Sequence, residues 1–211
     1  MITIIMAAGD NTRWKAYREP HHPMYKQLID IKGETIIGRI VRQLDQMHIP
    51  HLVAMSDMKL VREAEVPTFL ISSGFKTLAW SILATHKVWS LPLTILLGDV
   101  VFDQQDLNLI YTPTDQDVSF FGSDFEIYAV VFKTSPYELL FNSSGHIEGK
   151  LRDVRYYLNS IDSKLLPEDE VSSRFLDPRF FFVNGWTRDI DHKFSLSKLL
   201  SDPRFKAEDR C

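Results

Sequence analysis

Short apolar runs, separated by polar turns and by stretches of helical periodicity, organise this chain. Ile2-Thr3-Ile4-Ile5-Met6 is a β-branched run of the kind buried on both faces of a parallel sheet. The polar segment 15–23 reads as a loop. Leu28-Ile29-Asp30-Ile31, followed by Lys32-Gly33-Glu34, reads as a short strand and turn. Thr35 stands where a helix N-cap is wanted, ahead of Ile36, Ile37, Ile40, Val41 and Leu44 at helical spacing. Strands are predicted over 51–55 and 68–71, then a helix whose apolar positions include Leu78, Ile82, Leu83 and Val88. Leu93-Thr94-Ile95-Leu96-Leu97 is a buried strand that ends at Gly98-Asp99. Strands alternating with helices predict βαβ units and a mainly parallel sheet.

The second half changes character. Strands over 118–121 and 126–132 are expected to be neighbours, followed by helices over 136–141 and 151–158. An acidic loop at Glu168-Asp169-Glu170 precedes a Phe-rich strand over 179–183 and a last helix over 194–200. No repeat or linker divides the sequence, so residues 1–211 are expected to form a single domain.

Composition narrows the classes of function. The 211 residues are 45% hydrophobic and 25% charged, and 24 Lys and Arg stand against 28 Asp and Glu, a formal net charge of −4. A protein that binds nucleic acid by phosphate neutralisation carries a basic excess, so no nucleic-acid partner is expected. Apolar runs are broken after a few residues, so no membrane span is expected. The single cysteine, Cys211, allows no disulfide within the chain and suits a reducing, cytoplasmic location.

Three segments fall at the carboxyl ends of predicted strands, where parallel sheets bind ligands. Ala7-Ala8-Gly9 lets backbone approach a base or phosphates closely. Arg13 offers a fixed fork to phosphate, and Lys26 a compact charge at the far end of the same loop. Ser73, Gly74 and Thr77 follow a middle strand. Asp99 follows the most apolar strand, where a carboxylate needs a cation, and a hard divalent ion bridging to phosphates fits. Asp189 and Asp191, as alternate residues of an extended segment, point the same way; a solvated acidic pair is the plainer account of that spacing alone.

Taken in order, Met6-Ala7-Ala8-Gly9-Asp10-Asn11-Thr12-Arg13, Lys26-Gln27-Leu28, Gly33-Glu34-Thr35-Ile36-Ile37, Leu97-Gly98-Asp99 and Asp189-Ile190-Asp191 resemble the signature segments of the nucleotidylyltransferases of the nucleotide-diphospho-sugar transferase superfamily. That superfamily includes a molybdenum-cofactor guanylyltransferase-like branch. The sequence departs from the pattern at Asn11, where the family has glycine, and at Tyr25, where it has proline before the lysine. The resemblance implies a Rossmann-like three-layer α/β/α sandwich with a mainly parallel mixed sheet, the GT-A-like nucleotidyltransferase fold. It implies transfer of a nucleoside monophosphate from an NTP to a phosphorylated small-molecule acceptor, a sugar 1-phosphate first among candidates, with Mg²⁺ and release of pyrophosphate. Arg13 and Lys26 would be catalytic. Ala7, Ala8, Gly9, Asn11, Thr12, Ser73, Gly74, Thr77 and Gly98 would bind the nucleotide. Asp99, Asp191 and Asp189 would hold the metal.

Two other readings compete. A GT-A-type glycosyltransferase would place an Asp-x-Asp after the central strand, but Asp99 is followed by Val100-Val101-Phe102, with Asp103 out of step. A non-catalytic nucleotide-binding protein of the same fold would explain Asn11. Among the remaining residues, Trp14 either stacks on a nucleotide or anchors its loop. Arg155 belongs to a basic face that is solvated or meets acceptor phosphate. Glu126 either pairs in a strand or touches the acceptor, and His21 and His22 are expected to be exposed loop residues.

Overall fold

The computed structural model describes residues 1–8, 14, 23–72, 77–124, 126–144, 151, 154–155, 158, 177–191 and 193–207. Gly9, Asn11, Thr12, Arg13, His21, His22, Ser73, Gly74 and the acidic loop at 168–170 lie outside the described residues.

Seven strands form the central sheet: β1 (Ile2–Met6), β4 (His51–Met55), β5 (Thr68–Leu70), β6 (Leu93–Leu97), β8 (Val118–Gly122), β9 (Ile127–Phe132) and β10 (Phe180–Phe182), in the order β10-β8-β9-β6-β1-β4-β5. Only β9, among the described strands of this sheet, runs against its neighbours. The expected mainly parallel mixed sheet is therefore present. Two short ribbons stand beside it: β2 (Asp30–Ile31) with β3 (Glu34–Thr35), and β7 (Val100–Val101) with β11 (Arg188–Asp189).

Alternation along the strands divides the core into two layers. Ile5, Val53, Met55 and Leu96 turn to one face, against α1 (Ile36–Gln46), α2 (Met58–Ala64) and α4 (Gln104–Ile110). Ile4, Met6, Ala54 and Ile95 turn to the other, against α3 (Leu78–Leu83) and α5 (Tyr137–Ser144). Helices α6 (Lys193–Ser201) and α7 (Pro203–Ala207) add Leu196, Leu199 and Phe205 to the first layer. Helix α1 starts where expected, with the Thr35 hydroxyl accepting from the Gly38 amide at 3.0 Å. Among the described residues, no helix is long and apolar enough to cross a membrane.

Several local expectations are corrected. Leu28 belongs to a 3₁₀ turn at Lys26–Leu28, not to a strand. The helix expected to include Val88 stops at Leu83; the Thr85 hydroxyl bonds back to the Ile82 carbonyl at 2.7 Å, and a separate 3₁₀ turn covers His86–Val88. Glu126 lies in the turn before β9, where its carbonyl accepts from the Ser123 amide. Trp14 is 1% exposed and its Nε1 donates to the Pro23 carbonyl, which favours the anchoring alternative for this side chain.

Arg155 is neither solvated nor turned to a ligand. Its Nε donates to Asp177 Oδ2 at 2.9 Å, both side chains 1% exposed, and Arg179 Nε reaches Asp177 Oδ1 at 3.0 Å. Burial works against the Asp177 carboxylate, but the Arg179 amide and guanidinium together with Arg155 hold it below its ordinary range. Asp177→Asn removes a charge partner of two guanidiniums, one of them buried, and is expected to cost about 3–5 kcal/mol in urea unfolding at pH 7. A depressed carboxylate stabilises above its unfolded range and loses that contribution as pH falls through the folded value. The gap between variant and wild type should therefore close in acid.

Candidate functional site

The strand order locates the site before any side chain is considered. From β1 the chain moves outward through β4 and β5, then crosses back to place β6 on the other side of β1. A parallel sheet has its crevice at such a reversal, beyond the carboxyl ends of the strands. Met6 pairs with Leu97 at the ends of β1 and β6, so Ala7-Ala8 and Gly98-Asp99 emerge side by side. The Gly98 amide bonds to the Met6 carbonyl at 2.9 Å, and a Cβ on Gly98 would lie 3.0 Å from Ala7 Cβ. Glycine permits that approach. Ser56, just past β4, donates from its hydroxyl to the Ala8 carbonyl at 3.1 Å.

Lys26 is carried into this crevice by its neighbour. Tyr25 is 4% exposed and donates from its hydroxyl to Asp57 Oδ2 at 2.5 Å; Asp57 also caps α2 by accepting from the Lys59 amide. Burial and the Asp57 carboxylate push the phenol up to about 12, so it remains a donor at neutral pH. Tyr25 thus ties the lysine segment to the end of β4.

Asp189 and Asp191 arrive from the other end of the sequence. Arg188 and Asp189 pair antiparallel with Val101 and Val100, and the Ile190 amide donates to the Asp99 carbonyl at 3.1 Å. Side chains at 189 and 191 therefore face one way, as the spacing predicts. Asp99, Asp189 and Asp191 each present a carboxylate oxygen within 4.8 Å of the others. Lys26 Nζ stands among them, in contact with Asp99 Oδ2, 3.0 Å from Asp191 Oδ1 and 3.7 Å from Asp189 Oδ1. The sequence alone suggested a lysine facing phosphate; the structure gives it three carboxylates as neighbours.

The electrostatics follow from this packing. Burial by itself would lower the Lys26 ammonium, but Asp99, Asp189 and Asp191 outweigh it and hold the group above its ordinary value. Asp189 lies well above the usual carboxylate range, first through burial and then through Asp99, with Lys26 opposing. Glu126 is near enough to add to that rise. Asp189 Oδ1 is buried and accepts no hydrogen bond from the described residues. An all-oxygen donor set with one buried acceptor unsatisfied fits a hard divalent cation, whose Mg²⁺ oxygen shell is about 4 Å across.

Thr77, expected near the base, caps α3 by accepting from the Trp80 amide at 3.3 Å. Two further carboxylates bear on the site: Asp106 carries no expectation from sequence, and Asp103 only that of falling out of step with an Asp-x-Asp. Asp103 and Asp106 hold the segment that leads into β11, through Trp186 and Thr187 respectively. An Asp at a helix N-cap three residues before a second Asp was the only local sign, and it says nothing of partners some 80 residues away.

No protein-family model matches the sequence, and no curated protein matches it. The structure is similar to those of several nucleotidyltransferases. A nucleotidyl transferase from Methanothermobacter is 14% identical, with 100% of this chain and 98% of that one covered at a TM-score of 0.66. The inositol-1-phosphate CTP transferase from T. maritima is 10% identical, covering 92% and 90% at 0.62. The CTP:phosphocholine cytidylyltransferase from Streptococcus pneumoniae is 13% identical, covering 94% and 97% at 0.54. The seven-stranded sheet and its flanking helices are thus the Rossmann-like fold of the nucleotidyltransferases.

Proposed function

We propose that this chain is a nucleotidyltransferase of the nucleotide-diphospho-sugar transferase superfamily, its single domain spanning residues 1–211. It moves a nucleoside monophosphate from an NTP to a phosphorylated small-molecule acceptor, a sugar 1-phosphate first among candidates, and releases pyrophosphate. Its single cysteine suits work in the reducing cytoplasm. One observation carries the reading. Asp99 and the pair Asp189 and Asp191, some 90 residues apart in sequence, converge within 4.8 Å at the switch point of a nucleotidyltransferase fold.

In the reaction an acceptor phosphate oxygen attacks the α-phosphorus. A new P–O bond forms as the bond to the bridging oxygen breaks, and its electron pair leaves with pyrophosphate. Two anions must meet in line, so positioning and charge neutralisation account for most of the catalysis. Mg²⁺ held by Asp99, Asp191 and Asp189 would supply positive charge beside the α-phosphate. Lys26 would turn from the carboxylates toward an incoming phosphate oxygen, which competes for the same ammonium. Arg13 would neutralise the departing pyrophosphate. The backbone at Ala7, Ala8, Gly9, Asn11 and Thr12, with Ser73, Gly74, Thr77 and Gly98, would receive the nucleotide.

The glycosyltransferase reading loses its second carboxylate. Asp103 Oδ1 caps α4 through the Gln105 amide and Oδ2 accepts from the Trp186 amide, while Val100 and Val101 are fully buried. A screen of the four NTPs with Mg²⁺ against phosphorylated sugars, polyols and choline, following pyrophosphate, tests the proposal. Pyrophosphate release that depends on one acceptor supports it. Nucleotide binding with no release from any pair would leave a binding protein instead.

A further inference from the structure

We propose that Asp106 is a positioning residue for the carboxylate triad: it fixes segment 184–187 against α4, and so sets the register in which Asp189 and Asp191 face Asp99. The inference rests on the metal-holding role given above to that triad and adds a residue that touches neither metal nor substrate.

Asp106 is 4% exposed, yet both its oxygens are used. Oδ1 accepts from the amides of Asn184 at 3.2 Å and Gly185 at 3.0 Å; Oδ2 accepts from the Gly185 amide at 3.1 Å and the Thr187 hydroxyl at 2.6 Å. The Thr187 oxygen in turn accepts from the Asp103 amide at 2.9 Å, and Asp103 Oδ2 accepts from the Trp186 amide at 3.3 Å. Segment 184–187 is thereby held at every residue. Gly185 is required by the closeness: a Cβ there would stand 2.4 Å from Asp106 Oδ2 and 2.5 Å from Asp103 Oδ2.

What this clamp controls follows from the length of the ribbon beyond it. The β7–β11 ladder is two residues long, Arg188 with Val101 and Asp189 with Val100. So short a ladder does not define its own register, and a slip of one residue turns every side chain to the opposite face. Such a slip would direct Arg188 and Ile190 at Asp99 and carry both carboxylates away. The buried charge is fully satisfied by amides and a hydroxyl, so it needs no ion of its own.

The test uses the full chain, with Mn²⁺ alone as probe followed by water-proton relaxation, and amide hydrogen exchange across 186–191. Asp106→Ala is expected to weaken Mn²⁺ binding by roughly 10–100-fold and to speed exchange of the Ile190 amide, which bonds to the Asp99 carbonyl. Thr187→Val keeps the volume, removes the donor to Asp106 and the acceptor of the Asp103 amide, and should move both readouts the same way by less. It decides the matter if Asp106→Ala does not fold. A lower melting temperature with unchanged Mn²⁺ affinity and unchanged Ile190 protection would overturn the proposal. If the wild-type chain takes up no Mn²⁺, the metal reading itself fails; faster Ile190 exchange would then support the clamp and unchanged exchange would refute it.

Discussion

Asp99→Asn is expected to reduce Mg²⁺-dependent pyrophosphate release by roughly 10²–10³-fold while leaving the protein folded. The substitution keeps the shape of the side chain and removes one negative charge from the triad. The local backbone does not depend on that charge, because Asp99 meets Ile190 through its carbonyl. Lys26 keeps Asp191 and Asp189 as neighbours. The loss should therefore appear in turnover at saturating NTP and acceptor, with a raised requirement for Mg²⁺, and not as a shift in the urea midpoint. Equal turnover by variant and wild type would remove Asp99 from the metal site. A higher acceptor KM with unchanged kcat would place it in acceptor binding instead.

Lys26→Met should separate the phosphate role proposed for this ammonium from its observed place among the carboxylates. Pyrophosphate release should fall by roughly 10²-fold or more, because no compact cation is left to meet phosphate. Mn²⁺ added without nucleotide should bind more tightly than to wild type, because the group standing among the three carboxylates is gone. In the absence of metal the variant should be less stable by about 3 kcal/mol near pH 7. The pH dependence has a definite sign. Asp189 already titrates high, and Lys26 is the group opposing that rise. Without Lys26 the folded state retains a proton that the unfolded chain gives up. Stability then falls as pH rises from the ordinary carboxylate range through the raised value. Added Mn²⁺ should recover part of the loss by mass action. Thermal unfolding at several pH values, with and without Mn²⁺, checks both halves. A variant as stable as wild type, with the same Mn²⁺ affinity, would mean that the ammonium neither balances nor excludes charge there.

Where the sequence was legible, the controlling interactions are local. Leu93–Leu97 reads as a buried strand because both faces are covered and no polar alternation interrupts it. Thr35 reads as a cap because its oxygen meets an amide three residues on. The common facing of Asp189 and Asp191 follows from strand geometry alone, and their shared neighbour Lys26 agrees with it. The misreadings have a common cause. Arg155 reads as solvent- or ligand-facing because nothing nearby in sequence announces the Asp177 that holds it, and the choice for Trp14 between stacking and anchoring stays open because nothing announces the Pro23 carbonyl. The long helix expected to reach Val88 fails at Thr85, whose hydroxyl competes for a backbone carbonyl.

The sequence by itself determined the seven strands of the central sheet, the helices beginning near Ile36, Leu78, Tyr137 and Lys193, and the chemical types gathered at the strand ends, since these depend on periodicity and on neighbours a few residues apart. Helices α2, α4 and α7 and the β7–β11 ribbon carry no expectation from sequence. Only the tertiary structure decided that Lys26 lies among the carboxylates, that Tyr25 secures it through Asp57, and that Asp103 and Asp106 hold the segment leading to Asp189. Those contacts join residues from 32 to 165 positions apart. Only chain closure around the sheet brings them together, and no local pattern records which of many buried polar groups will meet.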